Sequence, residues 1–517
     1  MLEGRVIVGH NLAYDLYILK RTGYITHFPD KIWDTMITYK NLYNLTSILK
    51  LKELGMILFG IKNTKELMIK QWMQNHKGAT YECIPLDIMI PYAVEDIKLT
   101  SLLYDYELSE MSKRNTIDGI KKNQDTYIER DNKIVIVAMA MKEQGIKIDM
   151  PLCMQMYDEA TIHIEAERET IRDFFYDLNP RSPSDIIEYC KTNNIPINTW
   201  TDQGNPKIDQ TAIQEIAKSH SEFYCIDAYR KYDRIATTLS SLIDKQINGY
   251  IHTDFNVGFS VAGRFSSSNP NLQNVSKEMI IRDNIIDLRK IFIPEKDFMF
   301  MFIDYSQMEL RLFADYANCS RMKQAFKNNK DLHTLTASII YNKSEISNKE
   351  RSDGKCLNFG LLYGMGYKKF AKAVACSEEK AKRFLNSYYN GYPELIAIRS
   401  KLASVINKRK GVLWNKGYIK NASGRVLFVE YNYRALNFLI QSTGADIIKQ
   451  KMIEIHEFLK PYKSKLIMTI HDELGIHLHQ SEMFLIPLIK TIMETPLFGL
   501  SAIPTEVKLY KERWSSK

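Results

Sequence analysis

The spacing of apolar and polar residues changes several times along the chain, and each change predicts a different kind of element. Residues 1 to about 110 mix a short apolar run, RVIVGH, with two stretches, TSILKLKELGMILFG and YAVEDIKLTSLLYDYEL, whose apolar residues recur at helical spacing. That mixture predicts an α/β unit. From about 115 to 245 the pattern predicts long, highly charged amphipathic helices, interrupted at LNPRSPSD and at the polar turn region NTWTDQGNPKID. Beyond about 250 the period shortens. FMFMFIDYSQMELRLFADYA reads as a strand running into a helix, and KLIMTIHDELGIHLH as two strands joined at HDE. A further helical block, from about 320 to 430, separates these two segments and reads as an insertion within one sheet domain.

Inside that block lies RSDGKCLNFGLLYG. Steps of four from Arg351 give Lys355, Phe359 and Tyr363, two cations followed by two aromatic rings. On a helix, steps of four drift over an arc of about 120°. One face then carries charge at its N-terminal half and flat rings at its C-terminal half, the layout of a nucleotide with its phosphates and its stacking base.

The carboxylates add to this. Asp304 ends an apolar strand, and Asp472 and Glu473 sit at the turn between two strands. A charge adjoining a buried strand is costly unless it is paired or bound to a cation. Two such acids on neighbouring strands would make a site for hard divalent ions such as Mg2+, and paired metals suit phosphoryl displacement. Alternatively Asp304 caps the helix that begins near Tyr305, and Asp472 occupies an ordinary hairpin turn.

Composition narrows the picture modestly. The 517 residues suffice for several domains, and the formal net charge of +9 is compatible with a polyanionic partner. The seven cysteines are scattered without a CxxC pair, which speaks against a zinc site or a disulfide framework and for a reducing compartment. No apolar run is long enough to span a membrane, and MLEGRVIVGHNL lacks the pattern of a signal peptide. A cytoplasmic protein is expected.

DYSQMELR, the RxxxKxxxFxxxYG spacing and HDE, in that order, resemble the three signature motifs of the family A DNA polymerases, the DNA polymerase I group. GRFSSSNPNLQN (263–274), DLHTLTA (331–337), GYIKNASGR (417–425) and NFLIQSTGADIIK (437–449) resemble further segments of that family in the same order. The resemblance implies a multidomain α/β and α+β chain: a right-hand polymerase of palm, fingers and thumb preceded by a truncated ribonuclease H-like exonuclease domain. The implied divisions are 1–112 (partial exonuclease), 113–248 (thumb and helical connection), 249–320 and 431–517 (palm) and 321–430 (fingers). A bacterial or bacteriophage source is expected.

The same resemblance implies roles. Asp304 and Asp472, with the main-chain carbonyl of Tyr305, would hold two Mg2+ ions, for which Mn2+ could substitute. Arg351, Lys355 and His333 would hold the triphosphate of an incoming dNTP, with Lys355 as proton donor to pyrophosphate. Phe359 and Tyr363 would lie against the bases, and Phe359 in place of tyrosine implies discrimination against nucleotides lacking a 3′-hydroxyl. Gln307 would contact the nucleotide, and Glu309 would exclude a 2′-hydroxyl. Arg264, Gln273, Asn274, Asn437, Gln441 and His471 would face primer–template DNA, where minor-groove acceptors are common to all correct pairs. Asp353-Gly354 departs from the family pattern. Glycine there costs roughly 1 kcal/mol relative to alanine, Asp353 is expected to bring negative charge near the phosphate site, and the pair is expected to alter opening and closing of the helix.

GHNLAYDLYIL and YAVEDIKLT resemble the second and third exonuclease motifs, with Asp15, Tyr92 and Asp96 as their functional residues. The family's Asp-x-Glu motif would precede Asp15, yet MLEGRVIVGHNLAY contains no such pair. Little proofreading by this chain alone is therefore expected, with an upstream exonuclease fragment or a processivity factor as possible partners. A single-subunit RNA polymerase is the rival within this architecture, opposed by Glu309 and the exonuclease-like region. A non-catalytic DNA-binding subunit is opposed by the intact Asp304, Asp472, Arg351 and Lys355.

Overall fold

The chain begins with a βαβ unit. Strand Ile7–Gly9 lies parallel to Ile32–Asp34, with helix Leu12–Arg21 connecting them. The computed structural model describes residues 4–62, 64–115, 121–201 and 204–515; Met1–Glu3 of the first predicted segment, and Asp202 and Gln203 of the predicted polar turn, fall outside it. Asp34 ties the unit together. Its buried carboxylate accepts from the backbone N–H groups of Asn11 and Leu12 at 3.0 and 2.8 Å, and also caps helix Thr35–Leu42 through Met36 and Ile37. One acid thus satisfies orphan donors at two helix starts. Helices Leu51–Phe59, Thr64–Asn75 and Leu86–Asn115 complete this region. TSILKLKELGMILFG is helical only from Leu51; in the extended part before it Lys40 Nζ donates to Thr46 O and the His10 ring bonds Leu49 O.

Helix Lys121–Gln144 leads to a pair of long helices, Met150–Phe175 and Tyr224–Lys245, which pack extensively along each other. His163 stacks on Tyr232 between them, with ring centroids 4.5 Å apart. Pro183–Thr192 and Gln210–Ala217 are short helices capped by Ser182 and Asp209.

The four-stranded antiparallel sheet runs in the order Lys465–Ile470, Glu473–His479, Phe298–Tyr305, Thr505–Tyr510. Its central strand, FMFMFIDY, is apolar without alternation because both of its faces are covered. Phe302, for example, stacks on Trp514 at 4.9 Å. The segment between Tyr305 and Lys465 contains the helical block expected at about 320–430 and extends beyond it on both sides. It comprises helices Met308–Tyr316, Ser320–Lys327, Leu332–Tyr341, Asn348–Leu362, Tyr367–Val374, Glu378–Gly391 and Glu394–Arg409, then a hairpin of Gly417–Lys420 with Val426–Val429. Helix Ala435–Leu459 returns the chain to the sheet and packs on Met308–Tyr316 and Lys121–Gln144.

A fully buried ionic cluster sits where these parts meet. Asp446 accepts from Arg425 Nε and Nη2 at 3.0 and 2.6 Å, from Asn421 Nδ2 at 2.7 Å, and pairs with Arg130 Nη2 at 2.6 Å. Asp131 takes Arg425 Nη2 at 2.8 Å and Lys449 Nζ at 2.9 Å. Arg425 also donates to Asn41 of the N-terminal region. Burial lowers the Lys449 ammonium to about 8, against the raising influence of Asp131. Asp446→Ala removes the acceptor shared by two buried guanidinium groups. It is expected to cost about 3–5 kcal/mol, read as a large drop in melting temperature, whereas exposed Glu159→Ala leaves it nearly unchanged.

Candidate active site

The sheet register decides which acids meet. Asp304, next to last on the central strand, lies opposite Glu473 on one side and Glu506 on the other. Asp472 immediately precedes Glu473 in the turn, where His471 adopts a left-handed conformation with φ 56°. Burial pushes the Asp304 carboxyl up to about 7, and the nearby charges of Asp472 and Glu473 push the same way. Asp472 and Glu473 are both raised as well, each chiefly by burial. Oδ1 of Asp304 and Oε1 of Gln307 are buried with no hydrogen-bond partner among the described residues. Such acceptors carry a desolvation cost that a cation would relieve. Among the described residues no three His, Cys, Asp or Glu side chains converge as a ready-made metal cage. Tyr305 turns its side chain inward, its hydroxyl donating to Met493 O at 2.6 Å.

Glu309, in the first turn of helix Met308–Tyr316, joins two parts of the site. It accepts from Arg264 Nη2 and, at 2.5 Å, from the Tyr363 hydroxyl. Burial first and this hydrogen bond second raise the Tyr363 phenol to about 12. Arg264, Gln273, Glu309, His471 and Asp472 line one narrow crevice. Within it Gln273 Nε2 donates to Thr469 O at 3.1 Å. Asn274 ends the short turn Leu272–Asn274. Asn437 and Gln441 are one turn apart on helix Ala435–Leu459, and Gln441 hydrogen-bonds Tyr363.

Helix Asn348–Leu362 carries the cation–aromatic series and starts with a capping box of Ser347 and Glu350. Lys355, Phe359 and Tyr363 line an open cleft of about 670 Å3 with Gly364, Lys369 and Tyr433. Arg351 and His333 are placed differently from Lys355. The Arg351 guanidinium makes a two-pronged bond to Asp331, at 2.8 and 3.0 Å, and Asp331 caps the helix that bears His333. His333 is buried, held by Asn358 Nδ2 at 3.1 Å, with its ring 5.7 Å from that of Phe359. Burial lowers its imidazole pKa, which favours the neutral ring.

Asp353 and Gly354 behave otherwise than the sequence suggested. Asp353 is buried and points away from the cleft's lining, accepting from the Tyr341 hydroxyl and from Lys349 Nζ, each at 2.6 Å. Its charge is thus neutralised locally. Gly354 answers a packing demand: a Cβ there would stand 2.5 Å from His333 O and 3.0 Å from Ala337 N. Glycine lets helix Asn348–Leu362 approach the backbone of helix Leu332–Tyr341.

The exonuclease-like residues lie elsewhere. Tyr92 and Asp96, one turn apart on Leu86–Asn115, line a second open cleft of about 910 Å3. Asp96 is ion-paired with Lys52, whose ammonium is 3.7 Å from Glu95 and 4.8 Å from the centre of the Tyr92 ring. Asp15 is outside that lining. Burial raises its carboxyl, as does the charge of Asp34. Lys52, Tyr433 and the buried Asp131 were missed in the sequence, since none has a spacing that marks it. Asp446 and Arg425 lie inside quoted motifs, but nothing in their spacing reveals an ionic core.

The model of DNA polymerase family A matches residues 150–514. The chain belongs to that family. A 3′–5′ exonuclease model matches residues 1–111. Among relatives named DNA polymerase I, that of Aquifex aeolicus is 28% identical, covering 100% of this chain and 89% of its own length. Those of Synechocystis sp. and Borreliella burgdorferi are 26% and 29% identical over 97% and 95% of this chain. The chain spans about half the length of these two, 52% and 53%. The POL domain of Pol1 from M. smegmatis, solved in complex with DNA primer-template and dNTP, superposes with a TM-score of 0.78 at 21% identity, covering 99% of this chain and 86% of that one. The fold is therefore the one the motifs implied. Gly354→Ala is expected to cost about 1–3 kcal/mol by forcing two backbones apart, while Ser352→Ala on the exposed side of the same helix changes the melting temperature little.

Proposed function

We propose that this chain is a template-directed DNA polymerase that adds deoxynucleotides to a primer 3′-hydroxyl with release of pyrophosphate. The observation that carries the reading is the sheet register that sets Asp304 opposite Glu473 and next to Asp472, with the Tyr363 end of the cation–aromatic helix tied through Glu309 to the crevice that Asp472 lines. The Asp304 oxygen without a partner suits a hard divalent cation. Asp304, Asp472 and the Tyr305 main-chain carbonyl would hold two Mg2+ ions, or Mn2+ in their place. Bound there, the ions would neutralise charge on the entering and leaving oxygens of an in-line displacement.

The rest falls to the chain's own side chains. The primer 3′-hydroxyl would lose its proton to solvent as its oxygen bonds to the α-phosphorus and the bond to pyrophosphate breaks, and Lys355 would give a proton to the departing group. Arg351 would exchange Asp331 for phosphate oxygens, a charge-assisted contact of the same two-pronged kind. His333 would donate to the same chain of phosphates. Phe359 and Tyr363 would stack on the bases, Gln307 would support the nucleotide, and Glu309 would close the space beside the sugar's 2′ carbon. Arg264, Gln273, Asn274, Asn437, Gln441 and His471 would contact the duplex end.

On this reading residues 113–248 act as thumb and connection, 321–430 as fingers, and 249–320 with 431–517 as palm. The seven cysteines are free, in keeping with a bacterial or phage-infected cytoplasm, and among the described residues no helix is long and apolar enough to cross a membrane. For the exonuclease-like region we infer weak activity in this chain alone. Lys52 brings to Asp96 the positive charge that a metal would otherwise supply. A processivity factor is a further candidate partner.

Primer extension tests the main reading. The wild-type chain with Mg2+ is expected to extend with dNTPs far better than with rNTPs, and Asp304→Ala to abolish extension while primer–template binding stays measurable. Glu309→Ala should narrow the preference for dNTPs. Failure to extend, or equal use of rNTPs, would overturn the reading. Rapid magnesium-dependent trimming of a mismatched primer would sink the inference about proofreading.

A further inference from the structure

Two tyrosines next to the cleft have no role in the account so far. Tyr431 and Tyr433 are 49% and 57% exposed, unusual for large rings with no core to fill. Their planes are nearly parallel, 28° apart, with centroids separated by 5.8 Å. Arg434 lies 5.5 and 5.6 Å from the two ring centres and donates from Nε to the Tyr433 hydroxyl at 3.2 Å. The three side chains form an exposed aromatic cluster with a guanidinium against it, on the turn Asn432–Arg434 that opens helix Ala435–Leu459.

The position of this surface matters as much as its chemistry. Tyr433 shares the cleft lining with Lys355, Phe359, Tyr363 and Lys369. It also abuts the end of the cation–aromatic helix, where Gly364 turns the chain at φ 78° and a Cβ would come within 3.2 Å of Tyr433 Cδ2. The aromatic surface is therefore continuous with the cleft, just beyond Tyr363.

We propose that Tyr431, Tyr433 and Arg434 form a stacking platform for unpaired template bases that have not yet reached the cleft. Exposed rings take any base through its π-face, and a guanidinium beside them serves both cation–π contact and the strand's phosphates. Lys355 and Lys369 in the adjoining lining extend the positive charge along the same path. The ligand class is single-stranded nucleic acid running 5′ from the paired region. This rests on the polymerase reading above for its direction, but the stacking itself is measured by binding alone.

The test uses the full chain, a primer–template with a 5′ template overhang, a blunt duplex of the same paired length and a duplex with a 3′ overhang. The base analogue 2-aminopurine marks the second unpaired template position. Wild type is expected to bind the 5′ overhang more tightly than the blunt duplex and to quench the analogue. Tyr431→Ala/Tyr433→Ala is expected to bind the overhang substrate roughly tenfold more weakly, to leave the analogue bright, and to bind the blunt duplex as wild type does. Tyr433→Phe should keep the quenching. Unchanged overhang binding and quenching in the double variant would overturn the platform, as would equal losses on the blunt duplex or an equal gain from the 3′ overhang. A wild-type chain that quenches the overhang but never extends a primer would leave the platform standing and remove the polymerase reading.

Discussion

The acids at the end of strand Phe298–Tyr305 are placed by strand register, and the rest of the site is arranged around them. Side chains alternate along a strand, so a slip of one residue would send Asp304 to the opposite face and Ile303 into its place. The chain guards against that slip. The central strand pairs on both sides, with Glu473 and Glu506 both opposite Asp304. The run of large apolar residues before Asp304 is packed on both faces. Burying carboxylates at one end of a sheet is unfavourable on its own, which the raised Asp304, Asp472 and Glu473 record, Asp304 being raised further by the charges of the other two. The fold tolerates that local cost because the packing beneath it leaves no cheaper register.

A second constraint acts from below. Asp131, Asp446, Arg130, Arg425 and Lys449 come from helix Lys121–Gln144, the hairpin of Gly417–Lys420 with Val426–Val429 and helix Ala435–Leu459, and are buried together. Buried ion pairs contribute little net stability compared with apolar packing, but breaking one is expensive. Their value here is positional: Arg425 touches Asn41, Asp131 and Asp446 at once. The N-terminal region and the floor of the site are thereby fixed to one another. Helix Ala435–Leu459 also carries Gln441 to Tyr363, so the same element reaches both the ionic core and the cleft.

Much of this was legible in the sequence, for identifiable reasons. FMFMFIDY and KLIMTIHDELGIHLH declare strands through apolar density, and the turn at HDE follows from polarity between them. The four-step series from Arg351 to Tyr363 declares a helix face, and the structure ends that helix at Leu362. Partners across space were not legible. Nothing local reveals that Asp353 will meet Tyr341 and Lys349, so its charge was assigned to the wrong surroundings. Gly354 looked like a flaw in a helix because its reason, the carbonyl of His333, lies on another helix. Lys52 likewise gains its meaning only from Asp96, on a helix that begins more than thirty residues later. Periodicity reports burial, whereas ion pairs and close backbone approach depend on tertiary contact.

The Glu309 carboxylate is shared between Arg264 and Tyr363, which belong to segments far apart in the chain. The two donors take different oxygens of the one carboxylate, so a single side chain pins two walls of the crevice to each other without any main-chain contact between them.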